Sequence, residues 1–436
     1  MTQPPNTLQF STPPGLEMYQ LIRELYPICR SITGNGFRRS LQILKLHIPL
    51  QVHEVPSGTP VFDWTVPKEW NITDAYIKDK NGQRIVDFRQ SNLHVVNYSM
   101  PINKKRMRLS ELKEHLFTLP DHPDWIPYRT SYYKESWGFC LSQNLLDDLT
   151  DDEYEVCIDA SLQDGHLTYG EYYIAGEISD EILISCHACH PSLCNDNLSG
   201  VAIATFLAQY LSSQALRYSY RFLFIPGTIG SITWLSKNQG QTAKIKHGLV
   251  LSGLGDNGPC TYKKSRRGDA DIDKVMRHVL QHSGKRYNII DFFPYGYDER
   301  QYCSPGFNLP IGCFMRTPHG QYSEYHTSAD NLDFVKPEAL AESWRCCLTA
   351  LNIIENNRIY LNQNPYCEPQ LGRRNLYRAI GGEGGDKNAE LALLWVLNLS
   401  DGNNSLLDIA ERSTLEFELI HVAAKALYKH GLLKEV

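Results

Sequence analysis

EILISCHACHPSLCNDNLSG, residues 181–200, is the stretch of sequence that decides the fold. Its apolar first half is typical of a buried strand, which ends at His187 and His190. Asp196 follows in a loop, and the Ser-Gly pair behind it opens an apolar helix. Polar side chains therefore collect at the carboxyl end of a strand, where open α/β sheets bind their ligands.

Strands and helices alternate through the rest of this region. YRFLFIP, HGLVLSGLG and LPIGCFM predict further strands, and the segments between them carry apolar residues at helical spacing. We therefore predict an α/β domain over residues 165–362, with a mixed sheet flanked by helices. Two amphipathic helices in residues 1–49 are predicted to belong to it.

Residues 50–164 have a different sequence pattern, with short β-like stretches such as PVFDWTVP and a hairpin-turn signal at Asn81-Gly82. We predict an inserted β-rich domain there. Its aromatic stretch around Trp125 and Tyr128 indicates a core or a domain interface, and a substrate-gating surface is the alternative.

The end of the chain separates as a small module. Residues 363–387 contain GGEGGD and are predicted to form a linker. Residues 388–436 are predicted to form three helices and a short final strand, an arrangement that resembles a winged helix. The module has four Lys and Arg against seven Asp and Glu, and this acidic balance opposes binding to duplex DNA.

The whole chain of 436 residues has 43 Lys and Arg against 49 Asp and Glu, a net charge of −6. This balance gives no electrostatic footprint for nucleic acid or for an anionic membrane. No run reaches the ~18 apolar residues of a membrane span, and the N-terminus lacks the layout of a signal peptide. We expect a cytoplasmic protein with no nucleic-acid or membrane partner, compatible with a homo-oligomer, whose 12 cysteines are reduced thiols.

Imidazole nitrogens and carboxylate oxygens are ligands that zinc prefers, and a catalytic zinc site leaves one of about four positions open. His187, His190 and Asp196 offer such groups, and the segment EYHTSADNLDFV, residues 324–335, adds His326. Together they predict a metal site. The alternatives are ordinary hydrogen-bonded histidines, with the nearby cysteines as small buried hydrophobes. A Cys/His zinc knuckle is disfavoured, because its C-x-x-C has no second close pair downstream.

Taken together, these segments resemble the co-catalytic zinc aminopeptidase family, which includes glutaminyl cyclase relatives. The resemblance rests on a strand that ends in histidine, on DNLSG and on the late YH pair. It implies that His187 is the first metal ligand, Asp196 the metal-bridging carboxylate and His326 the last ligand, and that Tyr325 stabilises the oxyanion. His190 is retained as an alternative to His187. Over its full length the chain resembles bacterial proteins that have an aminopeptidase-like domain, a β-rich insertion and a C-terminal winged helix.

The chain departs from the aminopeptidases at two places. Where they carry two adjacent glutamates, one the general base and one a ligand, this chain has PGT at residues 226–228. Where they carry a ligand aspartate, it has Ser252, with Asp256 one turn later. A full two-zinc site is therefore disfavoured, and we expect one zinc ion per chain, held by two histidines and Asp196.

A catalytic carboxylate must then come from elsewhere, within about 3 Å of the attacking water or one water away from it. Glu324 lies two residues before His326, and Asp298 lies in GYDERQY, where the family places substrate-contacting groups. Both are candidate catalytic residues. Their neighbours Glu299 and Arg300 are candidate substrate-binding residues, since Arg can form a bidentate pair with a carboxylate.

The sequence thus predicts a zinc-dependent, aminopeptidase-like hydrolase that cleaves an amide bond of a small peptide-like substrate. Two alternatives stay open. The first is a catalytically silent binding or scaffold protein that kept the fold after losing the glutamates. The second is a zinc-dependent acyl transferase or cyclase, in which an amine attacks in place of water.

Overall fold

The computed structural model describes residues 13–376 and 387–436. Within these ranges, no helix is long and apolar enough to cross a membrane. The described residues divide into two units. The larger unit contains residues 13–270 and 286–345. The smaller unit contains residues 271–285, 346–376 and 387–436.

A mixed eight-stranded sheet is the centre of the larger unit. Its middle strands pair in parallel and are buried along nearly their whole length, as apolar runs covered on both faces require. With strands numbered along the chain, the order across the sheet is β1 (Gln51–Pro56), β10 (His166–Ile174), β12 (Ser219–Ile225), β11 (Glu181–His187), β13 (Ile245–Leu251), β16 (Ile311–Met315), β14 (Cys260–Lys263) and β15 (Tyr287–Ile290).

Helices pack on this sheet. The sequence of α5 (Gly200–Leu211), GVAIATFLAQYL, is apolar almost all round, and the helix is buried against β11, β12 and β13. α1 (Gly15–Leu25) packs on α5 in turn. The other helices of this unit are α2 (Asn35–Leu44), α3 (Leu109–Leu112), α4 (Gln143–Asp147), α6 (Ile229–Lys237), α8 (Glu299–Tyr302) and the first part of α9 (Pro337–Asn356).

The β-rich segment of the chain contains a second, four-stranded sheet. β1, which lies in the same segment, pairs instead with β10 of the large sheet. Leu93 and Tyr128 of the segment pack with Leu193 in the loop behind β11. The strands of the four-stranded sheet are, in order, β5 (Arg84–Asp87), β4 (Glu69–Lys78), β9 (Glu153–Gln163) and β6 (Ile102–Arg108). Two short ribbons complete the segment. One pairs β2 (Pro60–Val61) and β3 (Trp64–Thr65), and the other pairs β7 (Leu116–Phe117) and β8 (Phe139–Cys140).

A winged helix occupies the smaller unit, as predicted. Its second helix begins with a capping box, in which Ser405 and Asp408 each accept a hydrogen bond from the other's backbone N–H. Part of the predicted linker, residues 377–386, lies outside the described residues. The elements are β17 (Ile359–Asn362), α10 (Lys387–Leu399), β18 (Asp401–Ser405), α11 (Leu406–Ser413), α12 (Phe417–Lys429) and β19 (Leu433–Glu435).

α7 (Asp271–Gln281) holds the winged-helix elements within the smaller unit. Arg277 pairs with Glu411 of α11 at 2.5 Å. His278 Nε2 accepts a hydrogen bond of 3.0 Å from the backbone N–H of Phe417, the first residue of α12. The first N–H groups of a helix have no partner inside it, so His278 caps α12.

Replacing His278 by Ala should remove this acceptor and leave a buried N–H without a partner. We expect the free energy of unfolding to fall by about 1–3 kcal/mol, measured by chemical denaturation near pH 7.5. Burial lowers the pKa of His278 from 6.5 to about 4. The unfolded histidine therefore protonates first on acidification, so the stabilisation is full above pH 6.5 and is lost as the pH falls towards 4.

His282→Ala is the matched control. Its ring lies 4.4 Å from that of His278, but its side chain is exposed. An equal loss of stability in the two variants would contradict the capping role.

Candidate metal centre

β11 carries the site to the edge of the sheet where the parallel strands end. The strand ends at His187, and residues 194–199 then form one irregular turn before α5. Asp330 fixes this turn, because its carboxylate accepts hydrogen bonds from the backbone N–H groups of residues 194, 195 and 196 at 3.1, 2.6 and 2.9 Å. The Asp196 side chain is thereby held in the interior, with 0% exposure.

Three histidines converge on the Asp196 carboxylate. His187 Nε2 lies 2.8 Å from Oδ1, while His190 Nδ1 and His326 Nε2 lie 3.2 and 3.0 Å from Oδ2. The ligand-type atoms of His187, His190 and Asp196 all lie within 4.8 Å of one another. That group does not include His326, which contacts it at the Asp196 carboxylate, and both His187 and His190 lie beside Asp196.

Burial sets the charges of these groups. It lowers the pKa of His187 to about 4 and also lowers the pKa of His326, so both imidazoles are neutral at pH 7 and have a lone pair to offer. Burial opposes ionisation of Asp196, but the charge of His190 and the hydrogen bonds from His187, His190 and His326 hold its pKa well below the usual range. The result is a buried anion that can share either protons or a metal cation with the surrounding nitrogens.

The β-rich segment supplies one wall of the site. The ring centroid of Tyr128 lies 5.1 Å from those of both His190 and His326. The backbone N–H of Tyr128 donates a 2.7 Å hydrogen bond to the backbone carbonyl of His326. His326 has a left-handed φ of 56°, which is uncommon for residues other than glycine. Tyr128 therefore belongs to a buried cluster, one of the interpretations that the sequence offered, and this cluster borders the candidate ligands.

Tyr297 is a site residue that the sequence analysis missed. Its ring stacks on His187, with centroids 4.0 Å apart and an interplanar angle of 7°. Its hydroxyl oxygen lies 3.3 Å from Asp196 Oδ2, 3.3 Å from His326 Nε2 and 3.5 Å from His190 Nε2. The available signal was its place in GYDERQY, where the charged triplet drew attention instead.

Tyr325 also lies beside the histidines. Its ring stacks on that of His326 at 4.0 Å, and its hydroxyl lies 3.3 Å from the hydroxyl of Tyr297. Burial raises the pKa of both phenols above the usual value. Without an ion, both hydroxyls keep their protons and can donate hydrogen bonds.

The two candidate catalytic carboxylates have different surroundings. Asp298 is 0% exposed, and its Oδ1 accepts a 2.7 Å hydrogen bond from Ser231 Oγ. Its Oδ2 has no hydrogen-bond partner among the described residues, and burial raises the pKa of Asp298 to about 7. Glu324 is only half-buried and accepts a hydrogen bond from its neighbour Ser323 at 3.0 Å.

Glu299 does not occupy the substrate-contacting position that the sequence suggested. Its carboxylate is 0% exposed, is ion-paired with the buried Lys263 and accepts a 3.1 Å hydrogen bond from the Tyr297 N–H. A buried carboxylate needs such partners, so Glu299 anchors the loop that carries Tyr297. Arg300 is half-buried in the same short helix, α8.

The positions that would serve a second ion carry no free carboxylate. A Cβ on Gly227, directly behind β12, would lie 3.0 Å from His187 Cβ and 3.2 Å from the ring of Tyr297. Asp256 is not a replacement ligand, because its oxygens already accept hydrogen bonds of 2.6–2.9 Å from three other residues. Neither position therefore offers a free carboxylate among the described residues.

The cysteines beside the histidines behave as buried hydrophobes. Burial raises the pKa of Cys189 to about 12, and it raises the pKa values of Cys186 and Cys194 well above the usual range. The candidate metal group among the described residues consists of His187, His190 and Asp196 and includes none of these cysteines, so it is not a Cys/His zinc knuckle. Three imidazoles and one carboxylate remain, and this set of nitrogen and oxygen donors fits zinc.

Comparison with known proteins assigns the chain to a family. Residues 19–357 match a family model described as a domain of unknown function, DUF4910, and residues 358–435 match a winged helix-turn-helix model. A Clostridium acetobutylicum protein, provisionally named as a polysaccharide biosynthesis protein with an aminopeptidase-like domain, is 57% identical over 429 residues, which cover 98% of both chains.

Solved structures show the same fold. The crystal structure of a provisionally named peptidase from Clostridium acetobutylicum is 57% identical, has a TM-score of 0.92 and matches over 97% of this chain and 96% of that one. A zinc aminopeptidase from Bacillus subtilis is 12% identical, with a TM-score of 0.57 over 79% of this chain and 95% of that one. The chain therefore belongs to the DUF4910 family of aminopeptidase-like-domain proteins, and it joins a zinc-aminopeptidase fold to a C-terminal winged helix.

Proposed function

We propose that this protein is a zinc-dependent hydrolase that cleaves an amide bond of a small substrate. The observation that carries the proposal is the convergence of His187, His190 and His326 on the buried Asp196 carboxylate. The zinc-aminopeptidase fold and the name of the 57% identical relative support it.

Asp196 and two of the three histidines His187, His190 and His326 would hold the ion, which leaves one of about four positions open. When bound, zinc supplies Lewis acidity, which polarises an amide carbonyl and lowers the pKa of a coordinated water to about 7. The full burial of Asp196 strengthens every electrostatic interaction in the centre, because a charge away from water is screened less. One ion per chain is proposed, since Asp256 is already bonded elsewhere.

Tyr325 is the residue that we propose to stabilise the oxyanion. Its ring lies against His326 and its hydroxyl keeps its proton. A hydrogen bond from this hydroxyl would strengthen as the carbonyl oxygen gains negative charge. Tyr325 would therefore lower the barrier to reaction while contributing little to substrate binding.

Asp298 is the carboxylate that we propose to transfer protons. Ser231 holds one of its oxygens, and the other has no hydrogen-bond partner among the described residues. Asp298 directly follows Tyr297 in the chain. The hydroxyl of Tyr297 lies 3.3 Å from Asp196 Oδ2. Glu324 is the weaker candidate, because it is half-exposed and bonded to Ser323.

The proposed substrates are small molecules that contain an amide bond. Such bonds occur in small peptides and in N-acylated amino sugars, and the relative's name assigns that protein to polysaccharide biosynthesis. Both classes therefore belong in a first substrate screen. The loss of the paired glutamates at residues 226–228 favours one alternative, a silent binding protein. That alternative predicts a protein that binds no zinc.

The wild-type protein should contain about one zinc ion per chain by elemental analysis. Asp196→Asn and His326→Ala should each lower bound zinc several-fold, because an open site that loses one of about three protein ligands holds the ion poorly. His319→Ala is the control, since its ring lies 4.8 Å from that of Tyr297, whereas the histidines paired with Asp196 among the described residues are His187, His190 and His326.

Stoichiometric zinc in both the Asp196 and His326 variants would contradict the assignment of these two residues as zinc ligands. A wild-type protein that binds no zinc would favour the silent alternative.

Tyr325→Phe should lower turnover of a hydrolysed substrate by about 10²–10³-fold, the loss expected for one oxyanion donor. Zinc content and KM should stay close to wild type, because the hydroxyl acts mainly as charge develops. Steady-state kinetics with parallel metal analysis checks both. Wild-type turnover in this variant would leave a shared fold without a shared mechanism.

Asp298→Asn should abolish turnover while zinc stays bound, because the amide cannot accept the proton of the attacking water. Glu324→Gln is the matched variant and should retain most of the turnover. The reverse pattern, measured in the same assay, would assign proton transfer to Glu324 and refute the role of Asp298.

A further inference from the structure

A groove in the larger unit lies at the edge of the large sheet where the parallel strands begin. Ile245, the first residue of β13, lines it together with Pro310, which directly precedes β16. The seven residues of β13 span about 20 Å. At the far end of the strand, the Leu251 carbonyl accepts a 2.9 Å hydrogen bond from Asn197, the neighbour of Asp196. The groove and the candidate metal centre therefore lie at opposite edges of the sheet.

Two cations line this groove, Arg267 and Lys246, and no acidic residue of the described part of the chain lines it. Arg267 donates one hydrogen bond of 2.8 Å, from Nε to the carbonyl of Asn308. A guanidinium has five N–H groups, so the four on its two Nη atoms stay available. Lys246 Nζ donates a 3.0 Å hydrogen bond to a backbone carbonyl and lies 4.0 Å from Asp180. The two side chains give the groove a net positive charge.

Asn308 fixes the position of the basic segment. Its carbonyl accepts the hydrogen bond from Arg267, and its Oδ1 accepts one of 2.9 Å from Arg266 Nη1. Asn308 has a left-handed φ of 47°, a conformation that asparagine adopts more readily than most residues. The segment is thus tied to the loop before β16, and the Arg267 guanidinium is held beside the groove before any ligand binds.

An aromatic ring supplies an apolar wall. Phe307 lines the groove, and its ring lies 5.8 Å from that of Phe62, which is 50% exposed. The groove has a volume of about 340 Å³. Sites for small molecules are of this size, and they combine a mainly apolar lining with a few polar groups. The groove therefore fits a small molecule that has an anionic group and an apolar or ring-shaped part.

We propose that this groove binds a small phosphate monoester, through a phosphate group that Arg267 and Lys246 hold. A phosphate monoester carries nearly two negative charges at neutral pH, which the two cations match. Its oxygens can accept paired hydrogen bonds from the two Nη groups of one guanidinium. The organic part would pack against Phe307. Because the groove lies about one strand length from Asp196, binding there requires no metal ion.

The test is isothermal titration calorimetry of the full chain in a phosphate-free buffer that contains a chelator. The probes are glucose 6-phosphate and adenosine monophosphate, and glucose and adenosine are the matched compounds without phosphate. At least one ester should bind, and neither parent compound should. Arg267→Ala and Lys246→Ala should each weaken binding by about tenfold or more, the loss expected for a hydrogen bond to a charged group. The ester that binds more tightly indicates the organic part.

Lys244→Ala is the matched control. It removes the same charge two residues from Lys246, from an exposed side chain that does not line the groove, and it should bind the ester like the wild type. Asp196→Asn alters the opposite edge of the sheet and should also bind it like the wild type. Equal weakening in Lys244→Ala, loss of binding in Asp196→Asn but not in Arg267→Ala, or no binding of either ester to the wild type would overturn the phosphate site.

Discussion

The buried negative charge of Asp196 is the constraint on which the rest of the centre depends. A carboxylate with 0% exposure is strongly destabilised unless other groups replace the water that it has lost. The structure places three imidazoles and one phenol hydroxyl within 3.3 Å of its two oxygens. Imidazoles around an anion can share protons with it, and together they also form a site that can attract a metal cation, which is the basis of the proposed metal centre.

The fold explains how these groups meet. The parallel order of β11, β12 and β13 brings the loops behind their carboxyl ends to one edge of the sheet. Asp330 then ties the Asp196 turn to the segment that carries His326, through hydrogen bonds to three consecutive backbone N–H groups. Tyr128 reaches the same place from the β-rich segment. The site thus combines elements that are far apart in sequence, and each is fixed by buried hydrogen bonds or packing.

Local patterns in the sequence predicted part of this arrangement. The strand, turn and helix of residues 181–200 follow from apolar periodicity, and the resemblance to aminopeptidases singled out His326. Tyr297 was not singled out in this way, and Tyr128 was singled out without a settled role, because an aromatic residue in a loop is equally typical of a core. The sequence suggested a substrate-binding role for Glu299, and its buried ion pair with Lys263 could not be predicted. Lys263 lies on β14, and no local sequence pattern indicates that the two residues pair. The winged helix was predictable because its helices are short and amphipathic, and separate from the α/β region.

An anomalous difference map tests the central claim most directly. Crystals of the wild-type protein soaked in zinc would be measured on both sides of the zinc absorption edge. The account predicts one peak per chain, about 2.0–2.2 Å from both Asp196 Oδ2 and His326 Nε2. A peak at the sulfur atoms of Cys186, Cys189 or Cys194, or no peak within bonding distance of Asp196, would contradict it.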